Sequence, residues 1–467
     1  MGWATMAASA SSPLDSGPAL RQYVRALALP AVGEQLLNTA VGLADVYMVG
    51  NLSQQAAAQL GYSSAVALTS TGLGNQMSWV LNILFMSVAI GSTALIARTT
   101  GAGNLADRQQ YLRQSMIIGL VIGLLATLLV WFLGYFFLLA IGAAPDVLII
   151  GETYMRIIAL TLIPTALLFV GMACFRGAGD TRTPLYVMLG VNGINILITW
   201  LLVDGQFGLP PMGVNGAAIG TMIARGGGGC VIIALLLYGR SGLQLLPDLR
   251  PDFSIIRRIL HIGLPTAGEQ AVFHGALLLF TGLITGLGTV AYAAHFAVIN
   301  IESLSFLPGL GYAAAAGALV GQALGAQSPQ RARALAYEAV WQGGTMMVIT
   351  GLVMFFFPGP LIAIFTNDPA VIAAGTAPLQ AAGLVQFALA LSFILNGALR
   401  GAGDTRWPMY NRIIGTWCFR LPLALLFVHS LGMGLNGIWL AMCTDFTLQA
   451  SLSLWRFESG RWQHIEV

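Results

Sequence analysis

The chain has 467 residues, of which 57% are hydrophobic and only 8% are charged. Soluble globular proteins carry roughly a quarter charged residues, so this composition excludes an ordinary soluble domain and indicates a protein that lies mostly in lipid. The formal net charge of +3 includes no lysine among the 21 basic residues, which excludes lysine Schiff-base and phosphate-loop chemistry and gives no basis for nucleic-acid binding.

Twelve apolar segments follow one another, and each can supply the roughly 20 residues that a membrane-spanning helix needs. The predicted spans are 26–50, 56–97, 112–141, 147–171, 184–203, 214–238, 262–287, 291–323, 336–362, 371–398, 408–429 and 435–456. The second is too long for one straight span, so we expect it to be tilted, bent or extended beyond the bilayer. Residues 1–20 show no basic start before an apolar core, hence no cleavable signal peptide. The predicted fold class is an all-α integral membrane protein.

Arginine positions predict how these spans are oriented. All arginines except Arg156, Arg225 and Arg420 fall on one side of the twelve-span arrangement. Basic residues concentrate on the cytoplasmic side, so we expect both termini to be cytoplasmic in a multi-pass protein of the plasma (inner) membrane. Arg225 and Arg420 lie inside spans, where each either neutralises a nearby acid or meets an anionic ligand.

Four short motifs occur twice, in the same order, once in each half of the chain. The pairs are FRGAGDTRTP at Phe175–Pro184 with LRGAGDTRWP at Leu399–Pro408, LPAVGEQ at Leu29–Gln35 with LPTAGEQ at Leu264–Gln270, TGAG at Thr100–Gly103 with LGAQ at Leu324–Gln327, and MGVNG at Met212–Gly216 with MGLNG at Met433–Gly437. We interpret RGAGDTR as a structural turn, because glycine permits tight turns and Asp or Thr can cap the following helix.

The duplication predicts two six-helix bundles related by a pseudo-twofold axis. This arrangement is typical of secondary transporters, which bind substrate between their halves. The predicted boundaries are a cytoplasmic tail at 1–20, an N-terminal lobe at 21–238, a cytoplasmic linker at 239–261, a C-terminal lobe at 262–457 and a cytoplasmic tail at 458–467.

Ionisable side chains inside spans are costly and usually face a cavity. Asp45, near the outer end of the first span, is the leading candidate for a functional carboxylate. Glu34 and Asn38 share its side of the helix, which gives this span a polar stripe. Glu34 and Glu269 occupy equivalent repeat positions, and for both we keep open a coupling role and a structural role near the preceding proline.

The fifth span carries Asn192, Asn195 and Thr199 within about 60° of one another on a helical wheel. With Tyr154 and Thr221 of the neighbouring spans they predict a cage around Asp45. Such a cage either coordinates Na⁺ or hydrogen-bonds the protonated acid. The alternative is that these groups only bond neighbouring helices.

Aromatic and methionine side chains adapt to varied ligands and predict the surface of a substrate cleft. The candidates are Met77, Trp79, Phe280 and Phe306. No catalytic dyad or metal cluster stands out as a repeated or tightly spaced motif. We therefore predict no enzymatic activity, no cofactor, and a monomer.

The motifs FRGAGDTRTP, LRGAGDTRWP, TTGAGN and LADVYMVG resemble those of the multidrug and toxic compound extrusion (MATE) family, in particular its DinF-like branch. The resemblance runs from about Arg25 to Arg456. It implies two six-helix lobes, alternating access, and export of amphipathic, often cationic compounds driven by H⁺ or Na⁺. In the DinF-like branch it implies that Asp45 is the residue that couples transport to the cation.

One departure from the family pattern concerns the coupling ion. Many members carry an aspartate four positions after the span-five asparagine, whereas Asn195 is followed by Thr199. One carboxylate fewer favours H⁺ over Na⁺. A lipid-linked precursor flippase of the same superfamily is the alternative function; it would need a strongly basic cavity, for which only Arg225 and Arg420 are available.

Overall fold

The computed structural model describes residues 17–140, 142–246, 248 and 250–465, without the side chains of Ala65, Asn75 and Trp79. Most of the predicted N-terminal tail thus lies outside the described residues. The regular secondary structure of the described chain is entirely helical. Apolar helices suit lipid because each satisfies its own backbone hydrogen bonds.

Seventeen α-helices follow one another along the described chain. They are α1 Gly17–Gly50, α2 Gln54–Leu60, α3 Ser64–Gly101, α4 Leu105–Ala140, α5 Pro145–Gly177, α6 Arg182–Val203, α7 Gly213–Leu237, α8 Phe253–Thr285, α9 Thr289–Ser305, α10 Leu307–Gly325, α11 Pro329–Phe356, α12 Pro358–Ala363, α13 Pro369–Leu384, α14 Gln386–Gly401, α15 Arg406–Ile413, α16 Leu421–Leu425 and α17 Gly434–Glu458. A π-helical stretch, Ile414–Arg420, joins α15 to α16, and a second one, Leu426–Ser430, continues the same helical segment beyond α16.

The predicted second span at 56–97 was wrong at its start. α2 ends at Gly61, whose φ of 73° is left-handed and suits glycine. A new helix, α3, begins at Ser64, where the Ser63 hydroxyl accepts a hydrogen bond from the Val66 amide at 3.4 Å. The apolar run is therefore broken by helix-terminating residues that hydropathy alone does not register.

Nine of the described helical segments are long and apolar enough to cross a membrane, or ten if α13 and α14, bent by 51°, form one span. The predicted first and twelfth spans coincide with α1 and α17, which are not among these ten. Both carry several polar residues, including Asp45 and Asp445. The predicted all-helical membrane fold is confirmed, while the number of twelve spans stays a prediction.

The described chain divides into two compact units. The N-terminal unit comprises Gly33–Ile96 and Leu105–Leu260, and the C-terminal unit comprises residues 17–32, Ala97–Asn104 and 261–465. This division departs from the lobe boundaries read from the sequence, because α1 passes from one unit to the other after Val32. Close backbone contact explains the departure: a Cβ on Gly311 would lie 2.6 Å from the Val32 amide nitrogen, so α10 meets the first part of α1 directly.

Candidate functional site

Asp45 lies on α1 in the N-terminal unit, partly buried against α6 and α7. The Asn195 amide stands between Asp45 and Thr221. With its nitrogen towards Asp45, Asn195 Nδ2 donates to Asp45 Oδ1 at 3.0 Å, and its oxygen accepts from Thr221 Oγ1 at 3.2 Å. The opposite amide orientation keeps only a bond to Thr221 and turns the Asn195 oxygen towards acceptors. The first orientation satisfies both neighbours and is the one we assign.

Two glycines make room for the other side chains around Asp45. A Cβ on Gly74 would overlap the ring of Tyr154, and a Cβ on Gly220 would overlap Thr199 Oγ1. Tyr154 on α5 and Thr199 on α6 are therefore held close to α3 and α7. The structure thus brings residues of α1, α5, α6 and α7 together around one carboxylate.

Arg225 on α7 is the neighbour of Asp45 whose role the sequence left open. Its charge interacts with both Asp45 and Tyr154, although it forms no ion pair among the described residues. The sequence offered one signal: Arg225 lies four positions after Thr221, hence on nearly the same face of α7. The carboxylate accordingly lies in the field of one arginine.

Two buried polar atoms near this centre are not engaged by the protein. Asn192 Nδ2 and Thr199 Oγ1 have no hydrogen-bond partner of good geometry among the described residues. Thr199 is nevertheless near enough to Asp45 to stabilise its charge. A centre with one carboxylate, one amide and spare donors and acceptors can bind a proton or hold a small cation.

Glu34 and Glu269 each form an ion pair with an arginine of the repeated RGAGDTR motif. Arg176 Nη1 lies 2.9 Å from Glu34 Oε1 and 3.2 Å from Oε2. Arg400 Nη2 lies 2.7 and 2.8 Å from the two Glu269 oxygens. Both glutamates are buried, at 8% and 2% exposure. Each half of the duplication therefore contains an equivalent Glu–Arg ion pair between two of its helices. Sequence reasoning missed these ion pairs because the two partners are far apart in the chain.

The aspartates of the two motif copies have different partners. Asp180 accepts hydrogen bonds from the Thr183 amide at 2.9 Å and the Ser241 hydroxyl at 2.6 Å. Asp404 instead accepts from Arg456 Nε at 2.7 Å. The capping role predicted for this aspartate describes the first copy, whereas Asp404 accepts a side-chain bond from α17.

The remaining predicted site residues are scattered. Asn38 is exposed, and Met77 is buried in the hydrophobic core of the N-terminal unit. Phe280 is buried in the C-terminal unit, while Phe306 is half-buried there with its ring centroid 5.8 Å from that of Phe393. The side chain of Trp79 lies outside the described residues. Their common role in a substrate cleft stays a prediction.

The fold defines a duplicated, multi-pass helical membrane protein. The MatE family model matches twice, at residues 30–201 and 265–426, once in each half. The chain therefore belongs to the MatE family, as its motifs predicted. The double match also agrees with the tandem repeat read from the sequence.

Named relatives span nearly the whole chain. It is 34% identical over 454 residues to a "Probable multidrug resistance protein NorM" of Thermotoga maritima, covering 97% of this chain and 95% of that protein. It is 30% identical over 445 residues to a protein of the same name from Burkholderia pseudomallei, covering 92% and 91%. A structure described as "Outward-facing conformation of a multidrug resistance MATE family transporter of the MOP superfamily" shares the fold, with a TM-score of 0.86 at 20% identity over 96% and 97% of the chains.

Proposed function

We propose that this chain is a proton-coupled multidrug efflux antiporter of the plasma membrane, with both termini in the cytoplasm. It exports amphipathic, often cationic compounds by alternating access. The names of the relatives support the multidrug substrate class. The observation that supports proton coupling at Asp45 is its contact with Asn195, in a centre built from α1, α5, α6 and α7. Placement in the DinF-like branch remains a prediction.

Asp45 responds to a proton because its hydrogen bonds depend on its charge. An ionised carboxylate only accepts, as Oδ1 does from Asn195 Nδ2 at 3.0 Å. A protonated carboxyl is a weaker acceptor and gains a donor, so the contact between α1 and α6 changes. The proton shifts the conformational equilibrium only by the difference in its affinity for the two states.

In the proposed cycle, a proton from outside neutralises Asp45. The surrounding helices repack, the drug site loses affinity, and substrate leaves outward. Release of the proton to the cytoplasm restores the charge on Asp45 and the first arrangement. The chemical steps of this cycle are the gain and loss of a proton at a carboxylate oxygen, and no bond of the substrate changes.

The residues around Asp45 favour a proton over Na⁺. Na⁺ is held by several oxygen ligands, and this centre offers one carboxylate with Thr199 where an aspartate would add a second. The nearby guanidinium of Arg225 also repels a metal cation.

Efflux of a cationic dye from proteoliposomes tests the proposal. Dye export should follow an imposed pH gradient and be lost in Asp45→Asn. Glu152→Gln is the matched control, because the Glu152 side chain is 35% exposed and pairs with Arg156 on its own helix. Normal proton-driven export by Asp45→Asn would overturn the mechanism, and export driven by a Na⁺ gradient alone would replace the coupling ion.

The lipid-linked precursor flippase receives less support. A pyrophosphate needs free basic groups, and Arg420 is already engaged, with Nη2 2.7 Å from Asp445 Oδ2. Arg225 is the remaining arginine of the two that the sequence offered. Absence of dye export under either gradient would bring this function forward.

A further inference from the structure

A second group of ionisable side chains lies inside the C-terminal unit, where the duplication has no counterpart of Asp45. Glu302 on α9, Arg420 at the end of the first π-helical stretch, and Asp445 on α17 are 2%, 5% and 0% exposed. Arg420 and Glu302 interact electrostatically. Ionisable groups buried at this depth are costly, so their partners decide which of them stay charged.

Arg420 is committed to Asp445. Its Nε donates to Asp445 Oδ2 at 2.7 Å, and Nη2 lies 2.7 Å from the same oxygen. Gln449 Nε2 donates to the other carboxylate oxygen, Oδ1, at 2.7 Å. Gly415 leaves the space that Oδ1 occupies, since a Cβ there would overlap it. Asp445 is thus a fully bonded carboxylate with its own counter-charge.

The rings of Phe280 and Phe446 hold the guanidinium in this position. Their centroids lie 5.9 and 4.9 Å from the Arg420 central carbon. Aromatic faces stabilise a cation at such distances. The guanidinium is therefore fixed at Asp445 from several sides.

Glu302 is the surplus acid of this group. Its Oε1 is buried and has no hydrogen-bond partner among the described residues. Two carboxyl groups lie in the field of one guanidinium, and Asp445 is the one in direct contact with it. A carboxyl left without a donor in an apolar interior is more stable with its proton than without it.

The other groups that face Glu302 do not supply a second positive charge. Cys443 on α17 is near Glu302 and neutral. His295, which lies on α9 with Glu302, packs on Trp439 of α17 with ring centroids 5.6 Å apart. A further base of this unit, Arg412, lies 3.9 Å from Glu269 and belongs to that ion pair. Tyr312 of α10 bonds Gln342. Helices α12 and α13, which pack on α9, contain no ionisable residue.

We propose that Glu302 is a proton-binding carboxyl and that Glu302, Arg420 and Asp445 form a second proton site, separate from Asp45. The ligand is a proton and not a metal cation, because the guanidinium beside Glu302 repels cations and a single free oxygen cannot coordinate one. The binding step adds H⁺ to Glu302 Oε1 and forms one O–H bond. Only its role in transport rests on the proposed function; proton binding itself does not.

Infrared difference spectra between low and high pH test this site in the full-length protein reconstituted in liposomes. A protonated carboxyl gives a C=O stretching band that the ionised group lacks. Asp45→Asn should lose one part of this band and keep another. Adding Glu302→Gln to Asp45→Asn should remove a further part of the band, whereas adding Glu152→Gln should leave that part in place. An unchanged band in the Asp45→Asn/Glu302→Gln protein overturns the proposal.

Two further measurements keep the test decisive. Glu302→Asp retains a carboxyl, so the C=O band of this site should move in frequency without disappearing. This shift identifies the band even if Glu302→Gln does not fold. Addition of Na⁺ at constant pH should leave the Glu302 band unchanged, and its loss would show a metal cation in place of the proton. Failure of the unaltered protein to export dye, with the bands as expected, would refute the transport function alone.

Discussion

The two halves of the chain share an ion pair and differ in their interior acids. Glu34 with Arg176, and Glu269 with Arg400, occupy matching motif positions and make matching bonds. The offset that aligns LPAVGEQ with LPTAGEQ places Phe280 opposite Asp45. The halves are thus alike in the Glu–Arg ion pair that joins their helices. They differ at the position of Asp45, where the second half has a phenylalanine. Equivalence in one place is therefore no guide to equivalence in another.

Removal of the shared pair should have the largest effect on stability. Glu34→Gln leaves the half-buried guanidinium of Arg176 without its carboxylate, and breaking a buried pair costs about 3–5 kcal/mol, the upper limit for this partly buried one. Glu269→Gln should cost more, because Glu269 also faces Arg412 at 3.9 Å. Denaturant unfolding in detergent measures both. The more solvent-accessible pair of Glu152 and Arg156 provides the control, and Glu152→Gln should change stability by about 0–1 kcal/mol.

If Glu34→Gln and Glu269→Gln both lowered the free energy of unfolding only slightly, the shared ion pairs would not stabilise the two halves. The exchange Glu34→Arg with Arg176→Glu sharpens this comparison. Restored stability in the double variant would show that the bond itself, and no other contact of either residue, carries the effect.

Two glycines beside the Asp45 centre should give the next largest effect. Gly74→Ala and Gly220→Ala crowd Tyr154 and Thr199, and overpacking costs about 1–3 kcal/mol. Both variants should also slow proton-driven dye export because they displace groups around Asp45. Gly190→Ala is the control: its Cβ would meet nothing within 4 Å, and alanine favours the helix by up to about 1 kcal/mol. Unchanged export in the first two variants would contradict the assigned geometry.

The smallest expected effect concerns Asp180, the aspartate of the first motif copy, and the dependence of stability on pH. Burial raises the pKa of Asp180, but hydrogen bonds from Ser241 and Thr183 and the charge of Arg240 outweigh it, so the pKa lies below the ordinary 3.8. Its stabilising contribution is present above the unfolded value and is lost as the pH falls through the folded one. Asp180→Asn should lower stability at neutral pH and flatten the loss of stability in acid. An unaltered acid profile, measured by unfolding at several pH values, would refute this.

Much of the fold and part of the site could be read from the sequence. Apolar length predicts the helices because lipid requires internally bonded backbone, but it does not detect the break at Gly61. Helical periodicity placed Asn195 and Thr199 on one face and the span order brought them near Asp45. Neither can show a bond between distant residues such as Glu34 and Arg176, which depends on how helices approach in three dimensions.

The π-helical stretches on either side of α16 give the segment around Arg420 a capacity that a uniform helix lacks. A π-turn contains one more residue than an α-turn, because its hydrogen bonds join residues five apart. These bonds can be exchanged for α-type bonds between residues four apart without exposing the backbone. Passing that extra residue along the helix would rotate the intervening side chains as a group at little cost in bonds. Arg420 stands at the boundary of one such stretch, so a change of charge nearby could be translated into rotation of a whole helix surface.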